Sequence, residues 1–271
     1  MFEFDSDGFL THRSGELEAE INAAHHQLFT CACQINHDCH ELLFSADIRN
    51  RDIRSIIVAT LFMRLLEHYQ AVIVLLNKGV IAAARAALRA LVETTFKMRA
   101  VATDRDALKA FIAEDLAARK KLINKARNND YTNLEETRRA ISDELVGDLE
   151  QQIQATGAKS PRTEDWSRRA SMHDWYITNY ALLSKAVHTQ VRDLEAYLKI
   201  GESGEIEEFR YAPGMNDIPL LILTTAHCLL IGASAFDGTF ELGFGPKGEL
   251  HSKTVEGGFR ALDEENTQLS I

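Results

Sequence analysis

The residues best suited to chemistry form a polar column in the apolar segment 180–198, which reads YALLSKAVHTQVRDLEAYL. Side chains four apart share one face of an α-helix. The members of this column are Tyr180, Ser184, His188 and Arg192. A histidine titrates near neutral pH, and its serine and arginine neighbours can orient it or bind an anion. The spacing predicts a catalytic site, or alternatively a buried cluster whose polar groups satisfy one another.

A second polar column lies in the segment 80–99, which reads VIAAARAALRALVETTFKMR. Its members are Arg85, Arg89 and Glu93, spaced four apart on an alanine-rich helix. A buried arginine needs a carboxylate or an anionic ligand as its partner. The pattern therefore predicts a ligand-binding set, or alternatively a structural ion pair between Arg89 and Glu93.

Histidines and cysteines crowd the first predicted helix. They are His25, His26, Cys31, Cys33, His37, Cys39 and His40. One straight helix cannot wrap four ligands tetrahedrally around zinc, and no CxxC pair occurs. A metal site would need a second helix or a second subunit, so we predict no metal and no cofactor. The cysteines are too close for regular disulfides, which favours reduced thiols in a cytoplasm.

A basic segment offers a further binding surface. Residues 119–139 contain seven basic and three acidic side chains. Such a run is typical of a solvated helix face, and the alternative is a patch for RNA phosphates. Glycine-rich phosphate loops of the Walker and dinucleotide types are absent from the sequence.

The composition fits a helical protein with room for one large core. The chain has 271 residues, of which 45% are hydrophobic, and only four prolines. Its net charge of −10 argues against tight nonspecific binding to duplex DNA. The N-terminus lacks the features of a signal peptide, and the apolar window 219–235 resembles a buried core helix. We therefore expect a cytoplasmic protein with no membrane partner.

Helical periodicity and end signals predict an all-α antiparallel bundle with extra helices and a C-terminal arm. The expected division is an N-terminal helix over 1–48, a bundle over 49–236 and a Gly-rich acidic tail over 237–271. Helices over Arg49–Asn77 and Val80–Ala102 should form an antiparallel hairpin. Further helices are expected over Thr132–Ala155 and Ile177–Ile200, with a small strand or hairpin at Glu205–Tyr211. The tail should be an arm or a disordered end.

Two motifs carry a family resemblance. An aliphatic helix and glycine turn precede Ala84–Glu93, which reads A-x-x-x-x-R-x-x-x-E, and Tyr180–His188 follows later as Y-x-x-x-S-x-x-x-H. This order resembles an uncharacterised all-helical bacterial family that is itself similar to the HEPN superfamily. The resemblance covers roughly residues 50–236.

The resemblance implies a role in RNA or nucleotide chemistry. HEPN ribonucleases carry an arginine a few residues before a histidine that acts at the scissile phosphate, often across a dimer interface. His188 matches that histidine by pattern, although Ser184 stands where the arginine is expected. Arg168 and His173 fit the arginine-to-histidine spacing as well.

Three functions therefore remain open at the level of sequence. The first is a helical protein, expected to be a homodimer, that binds RNA, a nucleotide or a protein partner in a defence or toxin–antitoxin setting. The second is a metal-independent endoribonuclease that uses His188 or His173. The third is an interaction scaffold in which the same residues are structural.

Overall fold

Helices dominate the computed structural model, which describes residues 6–48, 52–157, 161–187, 191–201, 203–211 and 215–268. Within these ranges the sheet structure is limited to one two-stranded antiparallel hairpin. The all-α class predicted from the sequence is therefore confirmed.

The helices occupy most of the described residues. They are α1 (Ser14–Phe44), α2 (Ile53–Asn77), α3 (Ile81–Thr103), α4 (Arg105–Arg127), α5 (Glu135–Ala140), α6 (Asp143–Thr156), α7 (Thr163–Arg169), α8 (His173–Trp175), α9 (Ala181–Val187), α10 (Val191–Leu194), α11 (Ile218–Phe240) and α12 (Gly245–Gln268). A π-helical turn, Tyr176–Tyr180, joins α8 to α9. Strands β1 (Leu198–Ile200) and β2 (Ile206–Phe209) form the hairpin.

The centre of the molecule is formed by α2, α3 and α11, which pack on one another. The antiparallel pairing of α2 with α3 confirms the predicted hairpin, and Gly79 makes its turn at a φ of +70° that favours glycine. The apolar side chains of this pair that are at most 1% exposed include Val72, Leu76, Leu88 and Leu91. A Cβ on Gly232 of α11 would lie 2.1 Å from Leu65 Cδ2, so glycine allows α11 to approach α2 closely.

Helices α2 and α11 are each long and apolar enough to cross a membrane. In the structure they lie at the centre of the bundle, and the most apolar window of α11 is 67% buried. Residues such as Phe236 and Cys228 are fully enclosed by neighbouring helices. The apolar side chains of α11 thus pack in the protein core, as expected from the sequence.

The C-terminal segment differs from the predicted arm or disordered end. Helix α11 continues to Phe240, and α12 folds back to pack along it. Phe244 and Val255 are buried by this contact. A Cβ on Gly258 would lie 2.6 Å from Leu223 Cδ2, so this glycine serves close helix packing. The prediction of an arm or disordered end was wrong because it rested on the low helix propensity of the glycines. Packing against α11 offsets that low propensity.

Two other predicted helices are shorter than expected. The predicted Thr132–Ala155 helix is divided into a 3₁₀ turn, α5 and α6. Ser142 begins α6 anew, since its hydroxyl accepts a hydrogen bond from the backbone N–H of Leu145 at 3.1 Å. The predicted Ile177–Ile200 helix ends before β1, whose pairing with β2 confirms a hairpin near Glu205–Tyr211.

Candidate functional site

The polar column on α3 divides among different partners. Arg85 Nη2 lies 2.5 Å from Asp217 Oδ2, just before α11. Glu93 Oε1 lies 3.6 Å from Lys97 Nζ, one turn further along α3. Arg85 therefore makes a structural ion pair with a carboxylate. The middle member, Arg89, is the one that meets the other predicted column.

The contact between Arg89 and Tyr180 joins the two columns. Arg89 Nη2 donates a hydrogen bond to Tyr180 Oη at 2.6 Å, and its guanidinium carbon lies 4.9 Å from the centre of the tyrosine ring. The Tyr180 hydroxyl donates in turn to Thr163 Oγ1 of α7 at 3.4 Å. Tyr180 is 7% exposed. A hydrogen bond and a cation–π contact from one buried ring together hold the guanidinium in place.

Stacked rings extend from Tyr180 along the chain toward α8. The Tyr176 ring lies 5.3 Å from that of Tyr180, and the His173 ring lies 5.9 Å from that of Tyr176, with 18° between the planes in both pairs. Sequence reasoning singled out Tyr180 and His173 but missed Tyr176. The available signal was the spacing of the three rings, which fits one helix face.

His173 is tied to a carboxylate on α7. Its Nε2 lies 3.2 Å from Glu164 Oε1, and Arg168 Nη2 donates to the same oxygen at 2.8 Å. These hydrogen bonds, that of Arg168 first, hold the pKa of Glu164 below its usual value. Arg168 and His173, which fit the arginine-to-histidine spacing in the sequence, therefore both contact Glu164. Glu164 was not among the residues predicted from the sequence.

A cleft of about 300 Å³ opens between α2, α3 and α4, and we call it the Arg89 cleft. Apolar groups, among them Leu61 and Phe111, form part of its wall. Its polar lining comprises Arg64, His68, Arg89, Glu93, Thr94 and Lys97. The cleft has the size and mixed lining of a small-ligand site.

The Arg89 cleft carries more positive than negative charge. Arg64, Arg89 and Lys97 face a single lining carboxylate, Glu93. Lys97 also contacts Glu114 of α4, with 3.2 Å between Nζ and Oε1. Within the described ranges Arg64 makes no ion pair, and Arg89 Nε has no hydrogen-bond partner. The arrangement is therefore suited to an anion.

His68 shares this electrostatic environment. Burial lowers its pKa below the ordinary value of 6.5, and the charge of Arg64 lowers it further. The imidazole consequently favours its neutral form at pH 7. It can accept or donate a hydrogen bond in the cleft without adding a further charge.

A second depression of about 390 Å³ lies along the π-helical turn and α9. It is lined by Tyr176, Tyr180, Ser184 and Lys185 together with apolar neighbours. Ser184 therefore shares a surface with Tyr180, as the helical spacing predicts.

The remaining members of the first column are less fully described. His188 lies outside the described residues, so its role beside Ser184 and Arg192 stays a prediction. Arg192 belongs to the short helix α10, and its side chain lies outside the description as well.

The basic segment 119–139 forms the end of α4 and α5 and is partly neutralised by acidic partners. Lys120 Nζ lies 2.9 Å from Glu150 Oε1, and Arg127 Nη2 lies 2.8 Å from Asp143 Oδ1. A shallow groove of about 460 Å³ retains Lys120, Lys121 and Lys125 beside three asparagines. This surface resembles the solvated face that the composition favours, because several of its charges are already paired.

The cysteines of the chain are free thiols. Burial raises the pKa of Cys39 and of Cys228 to about 12, and it also raises that of Cys31. A thiol that resists deprotonation is a poor nucleophile and a poor metal ligand. Cys31 and Cys39 of α1 therefore act mainly as packing residues, whereas Cys33 is exposed.

Comparison with known proteins identifies a family for the chain. The profile of a family of unknown function, DUF5677, matches residues 55–206, more than half of the chain, and the chain belongs to this family. The match begins in α2 and ends in β2, and it includes Arg89, Tyr180 and the Arg89 cleft. No curated protein and no solved structure matches the chain significantly.

Proposed function

We propose that this member of the DUF5677 family is a HEPN-like helical protein that binds the phosphate groups of RNA or of a nucleotide at the Arg89 cleft. The observation that carries the proposal is the position of Arg89. Its guanidinium is held by Tyr180 and lines a cleft with a surplus of cationic groups. A guanidinium presents five N–H donors, of which the contact with Tyr180 uses one.

The lining of the Arg89 cleft suits a phosphate group. Arginine matches phosphate oxygens in a bidentate manner, and a second arginine and a lysine supply charge without a fixed geometry. The apolar wall at Leu61 and Phe111 is suited to the sugar or base that a phosphate brings with it. Because the chain is acidic overall, binding would rely on this local field rather than on the net charge.

Fluorescence anisotropy with a short single-stranded RNA tests the proposal. Arg64→Gln removes an exposed cation that lines the cleft, and Arg119→Gln removes an equal charge from an exposed position outside it. Loss of a charge-assisted hydrogen bond costs about 1.5–3 kcal/mol, which corresponds to a roughly 10- to 100-fold weaker affinity for Arg64→Gln. The Arg119→Gln variant should bind within about twofold of wild type.

The ligand class follows from competition. A nucleoside triphosphate that displaces the RNA probe indicates a mononucleotide site, whereas a longer RNA that binds more tightly indicates a strand. Equal losses in the two arginine variants would mean that the cleft is not the site. No binding of either probe would favour a protein partner and the scaffold interpretation.

A metal-independent endoribonuclease is the alternative supported by a separate observation. His173 is oriented by Glu164 and stacked on Tyr176, and Arg168 binds the same glutamate. An imidazole fixed by a carboxylate can move the proton of a ribose 2′-hydroxyl, and an arginine can stabilise the charge on phosphate. His188 stays a second candidate for the same role.

Incubation with RNA in the presence of EDTA tests this alternative. Activity that survives EDTA and disappears in His173→Gln supports His173, whereas loss only in His188→Gln supports His188. His26→Gln changes an exposed histidine and serves as the control. If the RNA stays intact under all conditions, the endoribonuclease alternative is wrong and RNA binding without cleavage is the function that stays proposed.

Assembly and location belong to the same proposal. HEPN-like proteins often place their site across a dimer interface, so we propose a cytoplasmic homodimer in a defence or toxin–antitoxin setting. Light scattering at several protein concentrations measures the assembly, and a monomer at every concentration would contradict it.

A further inference from the structure

A cluster of charged and imidazole side chains lies between α1 and α12, on helices that the Arg89 cleft does not use. We call it the α1–α12 cluster. Its members are His37, Asp38, Glu41, Lys247 and His251. His251 Nε2 lies 2.7 Å from Asp38 Oδ2, and both residues are 8% exposed.

The cluster converges as metal ligands do. One ligand atom from each of His37, Asp38 and Glu41 lies within 4.8 Å of the others. His251 adds an imidazole nitrogen from the opposite helix, in contact with Asp38. Ligands at about 2.0–2.2 Å from zinc lie roughly 3–4 Å from one another, so small side-chain rotations would bring the three α1 ligand atoms to that spacing.

A cationic group already occupies the cluster. Lys247 Nζ lies 3.2 Å from Asp38 Oδ1 and 2.9 Å from Glu41 Oε2. One ammonium faces two carboxylates there, so a negative surplus remains when the imidazoles are neutral. The Lys247 side chain is 56% exposed and can leave for solvent without disturbing the core.

Helix α12 is the second helix that a metal site on α1 needs, and the sequence pattern did not identify it. The spacing of His26, Cys33, His37 and His40 predicts one shared face of α1, but a single helix cannot surround an ion. Helix α12 instead brings His251 to Asp38, 213 positions earlier in the chain. Of the predicted face, His37 belongs to the cluster, whereas His40 is bonded to the Asn36 carbonyl at 2.8 Å.

We propose that the α1–α12 cluster binds a divalent transition metal ion of the zinc class. His37, Asp38, Glu41 and His251 are the ligands, and Lys247 is the cation that the metal displaces. Two imidazole nitrogens and two carboxylate oxygens suit zinc, cobalt or nickel better than magnesium or calcium, which prefer oxygen alone. A bound ion would connect α1 to α12.

Isothermal titration of EDTA-treated, dialysed full-length protein with ZnCl2 tests the proposal. Wild type should bind one ion. Lys247→Ala should bind it several-fold more tightly, because no ammonium then competes for the carboxylates. His37→Ala should bind it about tenfold more weakly or worse, since a ligand is lost. His37 is 65% exposed at its side chain, so its replacement leaves the fold intact.

His26→Ala is the matched control, because it removes an exposed imidazole of α1 outside the cluster. Its affinity for zinc should equal that of wild type. At the same zinc concentration the rise in Tm should be smaller for His37→Ala than for wild type or Lys247→Ala. No binding in both wild type and Lys247→Ala overturns the proposal, and equal binding in His37→Ala and His26→Ala indicates an adventitious ion only.

Discussion

The Arg89 cleft and the α1–α12 cluster are built in the same way and carry opposite charge. Each joins a polar residue of an early helix to a residue much later in the chain, 91 positions from Arg89 to Tyr180 and 213 from Asp38 to His251. Cations are in surplus at the first and carboxylates at the second. The first lies within the matched family region 55–206, and the second lies outside it.

The difference shows that a polar residue on an apolar helix acquires its role from its tertiary partner. Arg89 meets a tyrosine, which holds the guanidinium without neutralising it. Asp38 meets a histidine and a lysine, which leave a site able to exchange one cation for another. The sign of the remaining charge then selects an anion or a cation as ligand.

The largest effect is expected from removing α12. Deletion of residues 243–271 uncovers the apolar side of α11 and removes buried groups such as Phe244 and Val255. At about 25 cal/mol per Å² of apolar surface, the loss amounts to several kcal/mol and a fall in Tm of about 10 °C or more. Thermal unfolding followed by circular dichroism measures it. Loss of a disordered tail would change the Tm little, so an unchanged Tm would show α12 to be dispensable.

A pair of glycine substitutions tests the same contact without deletion. Gly257→Ala meets no atom within 4 Å, whereas the Cβ of Gly258→Ala would lie 2.6 Å from Leu223 Cδ2. Alanine in place of a mid-helix glycine gains about 0.5–1 kcal/mol. Only Gly257→Ala should show that gain if α12 packs as described.

The next effect concerns the core that supports Arg89. Leu88 is the neighbouring residue on α3 and is 1% exposed. Leu88→Ala should lower the free energy of unfolding by about 2–5 kcal/mol, since it leaves a cavity between α2 and α3. Urea unfolding measures the change. Leu122→Ala, at a position 66% exposed, should stay within about 0.5 kcal/mol, and similar values for the two variants would contradict the assigned core.

A smaller effect is expected from the hydroxyl that holds Arg89. Tyr180→Phe keeps the ring and removes the acceptor, so a guanidinium N–H loses its partner. Stability should fall by about 1–2 kcal/mol, and RNA affinity should fall with it if Tyr180 positions Arg89. Tyr131→Phe, at a position 66% exposed, is the control and should change neither quantity. An unchanged RNA affinity in Tyr180→Phe would mean that the Tyr180 hydroxyl does not contribute to RNA binding at the Arg89 cleft.

The smallest effect is a pH dependence at His227 of α11, which lies between α8 and α12. Its ring is 5.0 Å from Trp175 of α8 and 6.3 Å from Phe259 of α12. Burial lowers its pKa below 6.5, and the charge of Glu256 offsets this only in part. Below pH 6.5 the imidazole is therefore protonated more readily in the unfolded chain than in the folded protein. The contribution of neutral His227 to folding stability is complete above pH 6.5 and is lost as the pH falls below it.

His227→Gln should flatten that decline. Urea unfolding of wild type and His227→Gln at pH 7.5, 6.5 and 5.5 measures the difference. Parallel slopes for the two proteins would mean that the decline comes from other groups, such as His25 and His68, whose pKa values burial also lowers.

Local sequence determined the long helices and the central hairpin. The apolar period over α2 and α3, with Gly79 between them, specifies two helices joined by a tight turn. Spacing also placed Tyr180 and Ser184 on one surface, where the structure has them. These features depend on residues within one or two turns of each other, and such information is contained in the local pattern.

Contacts between distant segments were decided only by the tertiary structure. The glycines of α12 lower its intrinsic helicity, and its packing along α11, which buries Phe244 and Val255, explains why a helix forms there. The spacing of Arg85, Arg89 and Glu93 likewise left their partners open, because a helix face does not specify what packs against it. Glu93 pairs with Lys97 one turn along the same helix, whereas Arg85 and Arg89 met Asp217 and Tyr180 only once the fold had brought distant segments together.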